Sequence, residues 1–176
     1  MDYKSCFFIG HRETDERVLS RLLETVERLI VEENVGYFYV GNHGGFDRLA
    51  AHAVMEAKRH HPDITLTLVL SCHPGERPVE LLEGFDGSFY PEGLENVPWR
   101  YALVRVNRIM VDTCDWLVCY VWHTASNSKN LLEYARRREK KGWIKIENLA
   151  EKELSGSAAG SGGPDRRGGC LEQPGD

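Results

Sequence analysis

The chain has 176 residues, a formal net charge of −5, and 41% hydrophobic against 28% charged residues, the profile of a soluble globular protein built on one core. No uncharged apolar run approaches the ~18 residues that cross a bilayer, and Met1-Asp2-Tyr3-Lys4 lacks the basic start of a signal peptide, so a cytoplasmic protein with no membrane contact is expected. The acidic balance argues against nucleic acid as a partner, because that affinity comes from Lys and Arg neutralising phosphates, although a local basic pocket remains compatible with it.

In chain order, Cys6-Phe7-Phe8-Ile9 reads as a buried strand. Leu19, Leu22, Leu23, Val26, Leu29 and Ile30 follow at i, i+3, i+4 spacing and predict an amphipathic helix over 15–33. Tyr37-Phe38-Tyr39-Val40 is the second strand; it runs into Gly41-Asn42-His43-Gly44-Gly45 and a helix marked by Leu49, Ala50, Ala53, Val54 and Ala57 that closes near His60, before Pro62. The run 64–70 alternates apolar and polar residues, which predicts a wetter face or edge and a place at the sheet margin.

Residues 72–98 carry Pro74, Pro78, Pro91 and Pro98 among glycines, too long for a plain connection and suggestive of a lid. A helix over 99–112 leads to the most apolar strand, 116–122, expected at the centre of the sheet. A loop over 123–128 feeds a helix through Lys141, Gly142 caps it, and 143–146 is a last strand. Strands alternating with helices predict an α/β fold with a mainly parallel sheet. From Ser155 onward the chain is rich in Gly, Ser and Pro, so residues 1–154 are read as one domain and 155–176 as a disordered tail.

Three strands end in small or polar residues directly before a helix: Gly10-His11-Arg12, Gly41 to Gly45, and Ser126-Asn127-Ser128. In an open parallel sheet such loops share the carboxyl edge, where glycines admit a ligand and the first helical N–H groups attract an anion. Arg12 can grip a phosphate bidentately, whereas Ser126 or Ser128 reads first as an N-cap and Asp47 as a carboxylate favoured in a first helical turn. The basic run Arg136-Arg137-Arg138 suits a helix C-terminus, no His or Cys spacing matches a metal site, and no cofactor motif is present. Of the five cysteines, Cys114 and Cys119 flank or lie within the apolar fourth strand and read as inert buried thiols.

Four ordered motifs carry a resemblance. Phe8-Ile9-Gly10-His11-Arg12, Gly45-Phe46-Asp47-Arg48-Leu49-Ala50-Ala51, Asn107-Arg108-Ile109-Met110-Val111-Asp112 and Asn130-Leu131-Leu132-Glu133-Tyr134-Ala135 are similar to motifs of the SLOG superfamily, the Rossmann-like group that includes the LOG phosphoribohydrolases and DprA. They are most similar to those of its prophage-associated YpsA/YoqJ-like branch. The resemblance implies a single Rossmann-like three-layer domain with five central parallel strands and a pocket for a nucleotide or nucleotide-derived ligand, and supplies no reaction; the expected function is binding of that ligand at the carboxyl edge of the sheet, in the manner of a sensor. That pocket would draw on Gly10, His11, Arg12, Gly41, Asn42, Gly44, Gly45, Asp47, Ser126, Asn127, Ser128 and Asn130, with Asp47 or Asn130 toward a ribose. The branch's G-G-A stands here as Gly41-Asn42-His43 and its G-G-T as Ser126-Asn127-Ser128, which predicts a different ligand or pose.

The alternatives are a LOG-like nucleotide N-glycosidase, for which Glu133 or Asp47 would supply the carboxyl, and a DprA-like module for single-stranded DNA, which needs a basic groove with exposed aromatics. Glu133 is expected to pair with Arg137 at i+4. The expected partner is a nucleotide-derived small molecule, with homo-oligomerisation left open. Because the tail lacks the apolar surface to offset its ordering entropy, deleting residues 155–176 should leave the thermal midpoint nearly unchanged in a calorimetric scan; a drop of several degrees would show that it packs.

Overall fold

A computed structural model describes residues 2–122 and 126–151; the tail read from residues 155–176 lies outside them. The elements are β1 (Lys4–Gly10), α1 (Val18–Glu33), β2 (Val35–Val40), α2 (Gly45–Lys58), β3 (Thr65–Val69), β4 (Gly87–Phe89), α3 (Trp99–Thr113), β5 (Trp116–Tyr120), α4 (Asn127–Glu139) and β6 (Lys145–Asn148). The six strands form one sheet in the order β4-β3-β2-β1-β5-β6, every neighbouring pair parallel. The fold is α/β with a parallel sheet, as the strand and helix alternation predicts.

Alternation along each strand divides the core between the two faces of the sheet. Cys6, Phe8, Phe38, Val118 and Tyr120 point to α1 and α2 and pack with Leu22, Val26, Leu29, Phe46 and Ala50. Phe7, Ile9, Leu117 and Cys119 point the other way, to Val106 and Met110 of α3 and Leu131, Leu132 and Ala135 of α4. Burial pushes the Cys114 thiol up to about 12 and raises those of Cys6 and Cys119 as well, so these cysteines are packing groups.

The sheet has one strand more than the resemblance implies. The additional strand is β4, inside the Pro- and Gly-rich segment, and three residues are too few to show a period of two in the sequence. A clasp around Asp86 holds it: the carboxylate accepts the Leu66 N–H at 2.7 Å and the Lys58 ammonium at 2.6 Å, while the Asp86 N–H donates to the Leu66 carbonyl at 2.9 Å. This strand covers the flank of β3, so β3 is not the margin expected of it. The alternation there comes from a wet face: Thr65 and Thr67 are half-buried and Tyr37 is exposed on the α3/α4 side. Strand β5 is interior and wholly buried but lies one place in from the edge, beside β6.

Tight connections complete the frame. Asn34 caps α1 in the left-handed conformation (φ 58°) and gives its N–H to the Leu29 carbonyl, so β2 begins on the next residue. Gly142, also left-handed (φ 74°), ends α4 as expected. The buried Asn148 amide donates to the Val121 carbonyl at 3.0 Å while its oxygen accepts the Val121 N–H at 3.1 Å, extending β6 pairing past the end of β5. No helix among the described residues is long and apolar enough to cross a membrane.

Asp86→Ala removes both the acceptor for a strand N–H and the partner of Lys58. It should cost about 1–3 kcal/mol, the range for stranding a buried polar group, read as a lowered urea midpoint with unchanged slope.

Candidate functional site: the crevice at the carboxyl edge

From β1 the chain winds outward through β2, β3 and β4, then crosses by α3 to β5 on the other flank of β1. The helices that follow β1 and β5 consequently leave on opposite faces. A crevice opens between such strands at their carboxyl ends. Here it encloses about 240 Å3 and is lined by Gly10, His11, Arg12, Gly41, His43, Asp47, Leu103, Asn107, Ser126, Asn127 and Ser128, among others. The three strand-end loops thus meet, joined by α3, whose Leu103 and Asn107 form a wall absent from the residues expected to line the pocket. Asn107 opens the motif Asn107 to Asp112, and this was the available signal.

A larger cavity of about 720 Å3 adjoins the crevice and shares Arg12, Gly41, His43 and Asp47 with it. Asn42 and Gly44 line this second space rather than the crevice. Asn130 lies on a small groove of about 100 Å3 between α3 and α4, with Leu103, Val104, Asn107, Arg108 and Asn127, that shares Leu103, Asn107 and Asn127 with the crevice. Glu133 lines neither cavity. It sits on the far side of α4 in a recess with Trp122 and Arg136, and its carboxylate is 3.8 Å from the Lys129 ammonium rather than paired with Arg137. Arg137 instead lies over the Tyr134 ring, 5.9 Å from its centroid.

The glycines serve packing first. The Gly45 N–H donates to the Arg12 carbonyl at 2.7 Å, so the loops after β1 and β2 touch backbone to backbone. A Cβ on Gly44 would stand 2.6 Å from the Arg12 Cα, and one on Gly45 would stand 2.9 Å from the Arg12 carbonyl oxygen. A Cβ on Gly10 would fall 2.3 Å from Cγ of Phe46, a fully buried ring stacked on Tyr120. These contacts fix where Arg12 leaves the backbone, and its side chain is exposed at the junction of the two cavities.

His11 is tied down. Its Nε2 accepts the Trp122 N–H at 3.1 Å and its ring meets the Trp122 ring edge-on, fastening the loop after β1 to the end of β5. Ser126 is the N-cap of α4, its Oγ accepting the Lys129 N–H at 3.2 Å. The N–H groups of Asn127 and Ser128 therefore open the helix at the crevice, where the positive end of the dipole favours an anion.

Asp47 reaches back from the first turn of α2 to accept the His43 N–H at 2.9 Å. Burial raises its carboxyl to about 6, against the lowering effect of that hydrogen bond. Burial and, secondarily, the Arg12 charge lower the His43 imidazole, so it is neutral at pH 7. Arg12 is then the permanent cation where the cavities meet.

The raised Asp47 pKa has a sign. The folded state holds this proton more tightly than the unfolded chain, so the associated stability is complete below pH 3.8 and is lost as pH rises through about 6. Asp47→Asn keeps an acceptor for the His43 N–H and removes the enclosed charge. It should raise the thermal midpoint relative to wild type at pH 7.5, by an amount equivalent to about 1–3 kcal/mol, and the difference should vanish by pH 4 in parallel melts.

Charge is distributed unequally between the two helical layers. Helix α1 carries Glu24, Glu27, Glu32 and Glu33 against Arg21 and Arg28, and α2 is balanced. On the other face α3 carries Arg100, Arg105 and Arg108 against Asp112, and α4 carries Lys129, Arg136, Arg137 and Arg138 against Glu133 and Glu139, with Lys140 and Lys141 following. Exposed aromatics accompany this basic layer: Trp99 is 86% and Tyr101 54% exposed where α3 begins, with the Arg100 guanidinium over the Tyr101 ring.

No protein-family model matches the chain, and no curated protein matches it in sequence. Solved structures do. DNA processing protein A (DprA) from Streptococcus pneumoniae matches with a TM-score of 0.56 at 14% identity, over 87% of this chain and 61% of that one. DprA from Helicobacter pylori, in a structure that concerns its single-stranded DNA binding mode, matches with a TM-score of 0.50 at 12% identity, over 89% of this chain and 80% of that one. This chain therefore spans under two thirds of the S. pneumoniae chain. The Helicobacter structure overturns the expectation that nucleic acid is not a partner. Net charge was the wrong criterion: the −5 is a sum over the whole chain, whereas phosphates meet one face, and the α3/α4 face is basic. At these identities the likeness establishes architecture alone: the chain shares the fold of the matched part of DNA processing protein A, a relation that its resemblance to the SLOG group implies.

Proposed function

We propose that this protein binds single-stranded nucleic acid, with a phosphate held in the crevice at Arg12 and the strand continuing along the groove between α3 and α4. The observation that carries this reading is the continuity of crevice and groove through Leu103, Asn107 and Asn127 on the layer that holds the excess of arginines. A free nucleotide has no need of the α3/α4 groove, whereas a polyanion uses the whole track. Exposed Trp99 and Tyr101 offer stacking surfaces where α3 begins, and base stacking tolerates any sequence. The Helicobacter pylori DprA of the same fold, studied for its single-stranded DNA binding mode, supports the choice. On its four motifs we also place the chain with the YpsA/YoqJ-like branch.

Binding of a free nucleotide is the second reading, favoured by the two cavities that meet at Arg12. Hydrolysis of an N-glycosidic bond has less support: Glu133 lies away from the crevice with Lys129, and the Asp47 carboxyl is engaged by the His43 N–H.

Titration of a fluorescent 20-mer of thymidylate by anisotropy tests the proposal. Arg12→Ala should weaken binding by about 1.5–3 kcal/mol, the range for a charge-assisted hydrogen bond, and flatten the salt dependence by about one phosphate's worth. Trp99→Ala should cost about 1–3 kcal/mol, as for one stacked base. A folded Arg12→Ala protein with unchanged affinity would return Arg12 to a surface role.

A further inference from the structure

The 720 Å3 cavity beside the crevice shares Arg12 with it but extends well beyond the space a phosphate at Arg12 needs. It lies between α2 and the segment that precedes β4, and its walls are largely apolar: Ala51, Met55, Leu68 and Phe85 from the body, Val79 and Leu82 from the segment. Its size is within the ~300–1,000 Å3 of small-ligand sites, which characteristically combine apolar walls with a few placed polar groups. Asn42, His43 and Asp47 lie at the end shared with Arg12, while Arg48 and His52 add polar groups along α2.

Two features distinguish this space from a packing defect. The segment is anchored at its base, where the Gly84 carbonyl accepts the Lys58 ammonium at 3.2 Å and Gly84 adopts φ 98° against the Met55 side chain. Beyond the anchor its apolar residues are left facing open space: Val79 is 37% and Leu82 67% exposed although both line the cavity. Exposure of such side chains around a cavity is a cost that an apolar occupant would remove. Glu80 and Glu83 stand on the same rim and disfavour a phosphate entering from that side, so any anionic group of the occupant belongs at the Arg12 end.

We infer that this cavity receives a nucleobase, its faces between the apolar side chains of α2 and of residues 79–85 and its polar edge toward Asn42, His43 and Asp47, while the attached phosphate lies at Arg12. The inference rests on the reading of the crevice as a phosphate site and adds the ligand class of the second cavity. The neutral His43 imidazole and an Asp47 carboxyl titrating near 6 suit hydrogen bonding to the edge of an uncharged heterocycle. The base in question belongs to a bound strand, and a free nucleotide presents the same chemistry.

The test compares a 20-mer of thymidylate with an abasic 20-mer of the same backbone, on wild type, on the double variant Val79→Thr/Leu82→Gln and on Arg12→Ala, with thermal melts confirming the fold. Both substituted lid positions are exposed, so folding is retained. The double variant should bind the thymidylate strand about tenfold more weakly, near 1.4 kcal/mol and within the range for one sequestered base, and bind the abasic strand as wild type does. Unchanged thymidylate affinity in the double variant, or equal losses on both strands, would overturn the base pocket. Arg12→Ala should weaken both strands alike; if it weakens neither, the phosphate reading fails instead. Should wild type bind neither strand, titration with adenosine monophosphate and with ribose 5-phosphate decides: a preference for the former that the double variant abolishes upholds the base pocket for a free nucleotide, and equal or absent binding of the two overturns it.

Discussion

The contact on which the site depends is the hydrogen bond from the Gly45 N–H to the Arg12 carbonyl, with the two loops pressed so close that neither Gly44 nor Gly45 has room for a Cβ. It joins the end of the central strand to the start of the helix after its neighbour. Below it, Phe46 fills the space that a side chain at Gly10 would need and stacks on Tyr120 of β5, so the ends of three strands share one packing unit. Arg12 emerges from this unit, and the same unit brings Asp47 back onto the His43 N–H. Glycines that look as though they make way for a ligand make way first for each other's backbone; the ligand space is what remains at the rim.

A second constraint is the segregation of charge by the sheet. Because consecutive helices pack on opposite faces in pairs, α1 with α2 and α3 with α4, acidic and basic helices that alternate little in sequence become opposite surfaces of the protein. The basic surface meets the crevice through the N-terminal ends of α3 and α4, where helix dipoles add to the side-chain charge. Arginines gathered near aromatics on that layer, as at Arg108 and Tyr134 or Arg138 and Trp143, give it planar cations suited to phosphates and bases. Net charge describes the protein's solubility and says little of such a face.

Electrostatics within the site follow from enclosure rather than from added charge. Desolvation lowers His43, which is neutral at pH 7, and raises Asp47 to about 6, which leaves Arg12 as the cation of the wall common to both cavities. A wall of this kind can face a phosphate on one side and an apolar group on the other. Glu133, outside this enclosure and close to Lys129, has neither the burial nor the position to act on a ligand there.

Much of this architecture is legible in the chain itself. The periods of 2 and 3.6 locate β1, α1, β2, α2, α3, β5 and α4, because each element buries one or both faces in a common core and its apolar residues must recur accordingly. The loops of the crevice are legible for the same reason: a strand that ends in glycine or serine before a helix must deliver those residues to the carboxyl edge. What sequence periodicity cannot contain is anything that depends on elements distant in the chain. The three residues of β4 are a strand only because Asp86 finds Leu66 and Lys58; β3 is covered only because β4 arrives beside it. Likewise Glu133 could face the crevice or the outside until the roll of α4 against Leu117 and Cys119 turned it outward. The wall from Leu103 and Asn107, the second cavity under residues 79–85 and the basic face likewise arise from side chains far apart in sequence that meet only when the sheet sets the helices on its two sides. Local pattern determines which elements form, since each must bury its own apolar face; their packing decides what they enclose, since a cavity and a charged surface belong to several elements at once.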